Sequence, residues 1–184
     1  MSKRINHWTM RYLMARTKLW FYEKRYPARP WMTSQAVEFL SLWLKPTDVG
    51  FEWGSGRSTL WFAKRVQRLT SVEHDRRWHT IVQRQLQNQG IQNVSYHLIE
   101  LENDTYPEQY VHAIDAVGDA QLDFVIVDGR LRGECALAAL GKLRPGGILL
   151  IDNAERYLMN QSISPEAQKG ITSDPVWQTV ETKI

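Results

Sequence analysis

The chain has 184 residues, of which 43% are hydrophobic and 23% are charged, and its formal net charge at pH 7 is +3. This length favours one domain with its own core, and the composition excludes a chain that is disordered throughout. No apolar run approaches the roughly 18 residues that a membrane-spanning helix needs, so we expect no transmembrane segment.

The N-terminal segment carries the excess positive charge. Residues 1–30 contain eight Lys and Arg residues against one acid, Glu23, whereas the rest of the chain is acidic overall. The same segment has no continuous apolar stretch and no small-residue cleavage site, so no secretory signal is expected. Cys135 is the single cysteine and can form no internal disulfide. Together these features predict a cytoplasmic protein.

Residues 6–26 predict an amphipathic helix whose second face is basic. Its apolar side chains recur at three- and four-residue steps, at Trp8, Tyr12, Ala15, Leu19 and Tyr22. Pro27 and Pro30 end this helix, because proline disfavours helical backbone at and before its own position. A second helix is predicted to begin at Thr33 or Ser34, since either residue is a suitable N-cap.

From residue 46 onward, short apolar strands alternate with helices. The five predicted strands have the sequences DVGFEW, LTSVEH, NVSYHLIEL, LDFVIVDG and GGILLIDN, and helices are predicted at residues 59–68, 78–89 and 134–143. This alternation is typical of right-handed βαβ units. We therefore predict a single domain over residues 1–184. Its N-terminal helices, residues 1–45, form a cap, and residues 46–184 form a three-layer α/β/α core around a Rossmann-like, doubly wound and mainly parallel sheet.

Two glycines follow the first predicted strand and precede a helix. Gly54 and Gly56 would allow the amides at the helix N terminus to approach a ligand. Glu73 ends the second predicted strand, where a carboxylate accepts hydrogen bonds from both hydroxyls of a ribose. Motifs of the form G-x-G also occur in ordinary turns, so the context of strand, helix and acid is what favours a nucleotide site.

The residues around the loop narrow the choice of nucleotide. Thr59 occupies the place of the third glycine in a dinucleotide fingerprint, and the G-K-[ST] of a phosphate-binding P-loop is missing from the sequence. Glu52 precedes the loop, where it would repel a pyrophosphate but could bind the ammonium of an amino acid. A ligand with both a ribose and an amino-acid end is S-adenosylmethionine.

The segments FEWGSGRSTLWFA, SVEHD, DFVIVDGR and LRPGGILLIDN resemble the class I S-adenosylmethionine-dependent methyltransferases, and more narrowly a bacterial group whose first motif is E-x-G-S-G-x-S-T. The likeness extends from Pro30 to Asn153. It implies a methyltransferase (EC 2.1.1 class) in which Ser58 stands where many members have a third glycine. It also implies a set of cofactor-binding residues, namely Glu52, Gly54, Ser55 and Gly56 at the methionine end, Glu73 on the ribose, His74 close by, and Asp128 facing the reaction centre.

Acidic side chains follow the fourth and fifth predicted strands. Asp128 and the pair Asp152-Asn153 supply oxygen ligands suited to Mg²⁺ or Ca²⁺, an arrangement similar to that of the metal-dependent catechol-type O-methyltransferases. Such a metal would lower the pKa of a bound hydroxyl. Two alternatives stay open. Asp128 or Asp152 could act as a general base without a metal, or both could serve only to cap a turn and a helix.

The sequence says less about which residues bind the methyl acceptor. Arg130 and Arg132 could bind a carboxylate or phosphate of the acceptor, or form a solvated turn. Tyr106 and Tyr110 could line the acceptor pocket or cover the core. We predict methyl transfer to an oxygen of a small-molecule or sugar-type acceptor. The alternatives are an NAD(P)-binding Rossmann oxidoreductase and a non-catalytic binding module with a methyltransferase fold.

The two ends of the chain raise questions about partners. The basic, aromatic N-terminal helix could contact an anionic membrane surface, although a cap over the cleft or an oligomer interface is the simpler interpretation, and no specific nucleic acid is predicted. Methyltransferases of this class usually add an antiparallel strand pair after the fifth strand, yet only VWQTVETKI, residues 176–184, has a strand-like pattern. We therefore expect a shortened sheet edge, a sequence cut before its natural end, or an edge covered by another subunit of a homo-oligomer.

Overall fold

A computed structural model describes residues 10–26, 28–101, 107–162, 164 and 166–184. The chain divides into two compact units, which are described separately. The larger unit is residues 30–152, and the smaller unit combines residues 1–29 with residues 153–184. The prediction of a single domain over the whole chain stays a prediction.

In chain order the elements are α1 (Met10–Arg25), α2 (Ser34–Trp43), β1 (Val49–Trp53), α3 (Arg57–Ala63), β2 (Arg68–Glu73), α4 (Arg76–Asn88), β3 (Val94–Leu98), α5 (Pro107–Val111), β4 (Leu122–Val127), α6 (Arg132–Leu140), β5 (Leu143–Ile151) and α7 (Pro175–Lys183). Two short 3₁₀ helices, His112–Ala116 and Ala154–Arg156, follow α5 and β5.

The larger unit contains a sheet of five parallel strands in the order β3-β2-β1-β4-β5. The order reverses at β1, so the next strand along the chain after β3 returns to the other side of β1. In open sheets of this kind, ligands bind beside the carboxyl ends of the strands at that reversal. The predicted Rossmann-like α/β fold is confirmed.

Strand β4 is buried along its whole length because helices cover both faces of the sheet. Phe124 and Ile126 pack with side chains of α2 and α3, whereas Val125 and Val127 pack with side chains of α5 and α6. This alternation produces two hydrophobic cores, one on each side of the sheet. The three-layer arrangement follows from it.

Several helices begin where a side chain caps them. Thr33 accepts a hydrogen bond from the Ala36 amide at 3.2 Å, which confirms it as the N-cap of α2. Asp75 accepts one from the Trp78 amide at 2.8 Å, so α4 begins at Arg76, two residues earlier than predicted. Capping side chains satisfy amides that have no partner inside the helix.

The strand predicted at residues 176–184 is wrong, since this segment forms helix α7. The Asp174 carboxylate accepts hydrogen bonds from the amides of Val176 and Trp177, at 2.8 and 3.5 Å, and Pro175 occupies the first turn. An acidic N-cap followed by proline is a helix-start signal. In the part of the chain that the structure describes, β5 is therefore one edge of the sheet, and β3 is the other.

The exposed side chains of helix α1 include both apolar and basic residues. Met10, Met14, Trp20 and Phe21 are all exposed, alongside lysine and arginine side chains. Of the predicted apolar face, Trp8 lies outside the described residues, and the side chains of Tyr12 and Leu19 are not described either, so the prediction of an amphipathic helix stays a prediction. Over the described ranges, no helix has both the length and the apolar character required to cross a membrane.

Gly50 offers a test of how closely β1 and β4 pack. A Cβ at this position would lie 2.1 Å from Cζ of Phe124, so we expect Gly50→Ala to lower the free energy of unfolding by about 1–3 kcal/mol. Urea unfolding followed by circular dichroism measures this change.

Gly141→Ala is the matched control, because no described atom lies within 4 Å of a Cβ built there. We expect its effect to stay within about 0.5 kcal/mol. Equal stabilities of the two variants would contradict the close packing of Gly50 against Phe124.

Candidate functional site

The loop after β1 is fixed by its contact with the end of β4. Gly54 has φ +88°, and a Cβ there would lie 2.6 Å from the carbonyl carbon of Asp128. The Gly54 amide also donates to the Val72 carbonyl at 2.9 Å. Both the backbone conformation and this contact therefore require glycine at position 54.

Gly56 differs from Gly54, since the protein does not require glycine at this position. Its φ of 165° is extended backbone that any residue adopts. Among the described residues, a Cβ on Gly56 would meet only the ring of Trp78, at an ordinary contact distance of 3.7 Å. The described residues therefore leave space beside this backbone.

Glu73, at the end of β2, holds the loop through its carboxylate. Its Oε2 accepts hydrogen bonds from the amide and the hydroxyl of Ser55, at 3.0 and 2.7 Å. Its Oε1 accepts from the amides of His74 and Asp75, at 2.8 and 2.9 Å. Although burial opposes ionisation, these hydrogen bonds and the His74 ring beside Oε1 lower the pKa of Glu73 to about 2.

Two aromatic residues that the sequence reasoning missed also contact the loop. The Trp78 indole donates to the Ser55 carbonyl at 2.7 Å, and the Tyr96 hydroxyl lies 2.6 Å from the Ser55 hydroxyl. The His79 ring stacks on Tyr96 with centroids 4.3 Å apart. Trp78 lies in the first turn of α4, five residues after Glu73. That position near the carboxyl ends of the strands is the sequence signal that could have identified it.

Glu52 is fully buried next to the start of α3. Its Oε2 accepts hydrogen bonds from the hydroxyls of Thr59 and Ser71, at 2.6 and 2.8 Å, and Thr59 in turn accepts from the Gly56 amide. Within the described residues, Oε1 has no hydrogen-bond partner. Burial raises the pKa of the Glu52 carboxyl to about 7, and the neighbouring hydroxyls oppose that rise. Ser58 is buried in the first turn of α3, and its hydroxyl opposes the rise in the Glu52 pKa more strongly than those of Thr59 and Ser71 do.

The acids at the ends of β4 and β5 face a cation from the chain itself. Nη2 of Arg132 lies 3.0 Å from Oδ1 of Asp128, and Nη1 lies 3.5 Å from Oδ2 of Asp152. Burial and the nearby Asp152 carboxylate raise the pKa of Asp128, while the Arg132 guanidinium opposes them. Asn153 belongs to the smaller unit and has a left-handed backbone with φ +53°.

This geometry does not fit the predicted Mg²⁺ or Ca²⁺ site. A guanidinium already contacts both carboxylates, and its positive charge would repel a divalent cation placed there. The described residues contain no group of three or more His, Cys, Asp or Glu side chains arranged for a metal ion. The comparison with metal-dependent O-methyltransferases is therefore not supported at this position.

The remaining predicted site residues differ in their exposure and contacts. Arg130 is exposed, and its amide lies 3.4 Å from the Tyr110 hydroxyl. Tyr110 is fully buried and packs in the core beside Gly129, so it covers the core instead of lining an open pocket. His74 is partly exposed next to Glu73. Tyr106 lies outside the described residues.

The raised pKa of Glu52 predicts a pH-dependent stability difference. A carboxyl with a pKa of about 7 in the folded chain, against an ordinary value of 4.5, binds more protons folded than unfolded between these pH values. Its contribution to stability therefore falls as pH rises from 4.5 to 7. Glu52→Gln removes this titration, so the variant should gain up to about 3 kcal/mol relative to wild type between pH 5 and pH 8.

Glu73→Gln serves as a control with the opposite shift. The folded pKa of Glu73 is already lowered to about 2, so Glu73 stays ionised over this range and its loss should destabilise by the same amount at pH 5 and pH 8. Denaturant unfolding at both pH values measures both variants. A Glu52→Gln difference that does not change with pH would show that the folded carboxyl titrates normally.

Comparisons with known proteins identify the family and agree with the fold. A family model described as "Methyltransferase domain" matches residues 51–154, which is more than half of the chain. A search of curated proteins returned no match. A methyltransferase-like protein of Silicibacter pomeroyi has 28% identity and a TM-score of 0.54, over 68% of this chain and 73% of that one.

Two more distant structures share the fold. Precorrin 8W decarboxylase of Methanobacterium thermoautotrophicum has 24% identity and a TM-score of 0.50, with 68% of this chain and 66% of that chain covered. An rRNA methylase of Streptococcus thermophilus has 18% identity and a TM-score of 0.50, with 64% and 68% covered. The match of the family model over the glycine loop and both strand-end acids identifies the chain as a member of this methyltransferase domain family.

Proposed function

We propose that the chain binds S-adenosylmethionine at the carboxyl ends of β1, β2 and β4 and transfers its methyl group to an oxygen of a small-molecule or sugar-type acceptor. When bound, this cofactor supplies an electrophilic methyl group on a sulfonium sulfur. Membership of a methyltransferase domain family supports the general activity. The roles of individual residues, and oxygen as the acceptor atom, are part of the proposal.

The observation that carries the proposal is the glycine at position 56. Neither its backbone conformation nor its protein contacts exclude a larger residue. It lies directly before α3, where helix amides have no intrahelical partner and favour an approaching polar ligand. A ligand that must come close to this backbone explains the glycine, because a Cβ would hold the ligand away.

Glu73 could take a ribose without moving the loop. Its four hydrogen bonds come from three backbone amides and one hydroxyl, that of Ser55. The Ser55 hydroxyl also lies 2.6 Å from the Tyr96 hydroxyl, so it can turn to that partner when a ribose hydroxyl replaces it on Oε2. A carboxylate offers about four acceptor positions. The Ser55 hydroxyl can leave Oε2 by side-chain rotation, whereas the other side-chain contact, that of the His74 ring, lies on Oε1.

Glu52 has one oxygen suited to a further donor. Its Oε2 is engaged by two hydroxyls, whereas Oε1 is buried without a hydrogen bond from the described residues. A buried acceptor without a partner is unfavourable, so a donor reaching Oε1 directly or through a water would be stabilised there. The ammonium of an amino-acid ligand is such a donor.

We propose that Asp128 acts at the reaction centre. Its backbone touches Gly54, and its partly exposed carboxylate faces Asp152 through the Arg132 guanidinium. A carboxylate held in place can accept the proton of an acceptor hydroxyl while the binding site aligns that oxygen with the methyl group. This role needs no metal.

Gly56→Ala tests the cofactor site directly. We expect its unfolding temperature to match wild type, because a Cβ meets only an ordinary contact with Trp78. We expect its affinity for S-adenosylhomocysteine to fall at least about tenfold, which corresponds to about 1.4 kcal/mol of lost binding free energy. Titration calorimetry with S-adenosylmethionine, S-adenosylhomocysteine and NAD measures both the affinity and the choice of ligand.

Gly141→Ala is again the control, with unchanged affinity expected, since it lies at the end of α6 with no described atom near its Cβ position. Unchanged S-adenosylhomocysteine binding in Gly56→Ala would remove the main support for the site. Tight binding of NAD in place of S-adenosylhomocysteine would favour an oxidoreductase. Binding of S-adenosylhomocysteine without transfer to any acceptor fraction would favour a binding module.

A further inference from the structure

The guanidinium of Arg132 joins the ends of two neighbouring strands. Besides the two carboxylates, it donates to the Asp128 carbonyl at 3.3 Å, to the Gly129 carbonyl at 3.1 Å, and to the Asp152 carbonyl. All of these acceptors belong to the turns after β4 and β5. The Arg132 side chain is only 16% exposed, so the contacts are formed largely away from solvent.

Arginine is suited to this position by its shape. A guanidinium has five N–H donors in a planar fork, keeps its charge at every accessible pH and is more weakly hydrated than an ammonium. Here those donors reach acceptors on both turns at once. A divalent cation would need the same carboxylates and would have to displace the guanidinium, which is tethered to the first turn of α6.

We propose that Arg132 is a built-in cation that takes the place of a divalent metal between Asp128 and Asp152. As a positioning residue, it fixes both carboxylates and the turns that carry them, and it makes this end of the site independent of metal ions. The inference rests on the geometry of the larger unit. It depends on the proposed function only where methyl transfer is used as a readout.

The first test asks whether removal of Arg132 creates a cation site. Arg132→Met leaves two neighbouring carboxylates without a counter-charge, so without divalent cations it should melt below wild type. Millimolar Ca²⁺ should then raise its melting temperature by about 5 °C, because a cation that binds only the folded state stabilises it. Wild type should show no Ca²⁺ or Mg²⁺ effect and no binding in calorimetry.

Two further variants separate this effect from general charge loss. Arg132→Met/Asp152→Asn has only one of the two carboxylates and should lose the Ca²⁺ response. Arg156→Met breaks an exposed pair with a single carboxylate, Glu166, whose N–O distance is 2.9 Å, and should show no Ca²⁺ response. If Arg132→Met does not fold in chelator, recovery of its circular dichroism spectrum on addition of Ca²⁺ becomes the readout.

Opposite results overturn the proposal. The proposal fails if each wild-type chain binds one Ca²⁺ or Mg²⁺. It also fails if Ca²⁺ has no effect on Arg132→Met, or if the double variant responds to Ca²⁺ as strongly as Arg132→Met does. Methyl transfer by wild type should persist in EDTA, and its loss in EDTA with recovery in Mg²⁺ would also count against the proposal. If S-adenosylhomocysteine does not bind at all, the proposed function fails, while the cation experiments still decide the role of Arg132.

Discussion

One carboxylate, that of Glu73, determines the shape of the site. It accepts hydrogen bonds from three backbone amides, one in the loop after β1 and two in the turn after β2, and from the Ser55 hydroxyl. Hydrogen bonds to an ionised group are stronger than those between neutral groups, so this acid can hold two loops in fixed positions. Ser55, which this carboxylate holds, directly precedes Gly56 and the start of α3.

Three acids lie at the carboxyl ends of neighbouring strands, and the protein stabilises each in a different way. Glu73 stays ionised because amides surround it. Burial favours the protonated form of Glu52 near neutral pH, with hydroxyl donors on one oxygen. Asp128 shares a guanidinium with Asp152. Like charges at short range are unfavourable in a poorly solvated site, and amide donors, protonation and a shared guanidinium each reduce that repulsion.

Much of the larger unit could be predicted from sequence because its signals are local. Strands buried on both faces appear as apolar runs, and Gly54 marks a turn whose positive φ few other residues adopt. At residues 176–184 the apolar residues alone fit a strand, and only Asp174 and Pro175 signal the start of a helix. The contacts of Arg132 are hidden in the sequence for a different reason. Its partners lie at positions 128, 129 and 152, and which of the possible acceptors a long side chain reaches depends on the packing of α6 against the sheet.

The Ser55 hydroxyl has two partners, Glu73 and Tyr96, and this has a consequence for the timing of ligand exchange. If ligand entry requires only rotation of one serine side chain, the backbone of the site is already in its bound shape. Side-chain rotations take picoseconds to nanoseconds, whereas loop opening takes far longer. A site of this kind loses little conformational entropy on binding. The dissociation rate of the ligand would then depend on the strength of its own contacts and not on the opening of a lid.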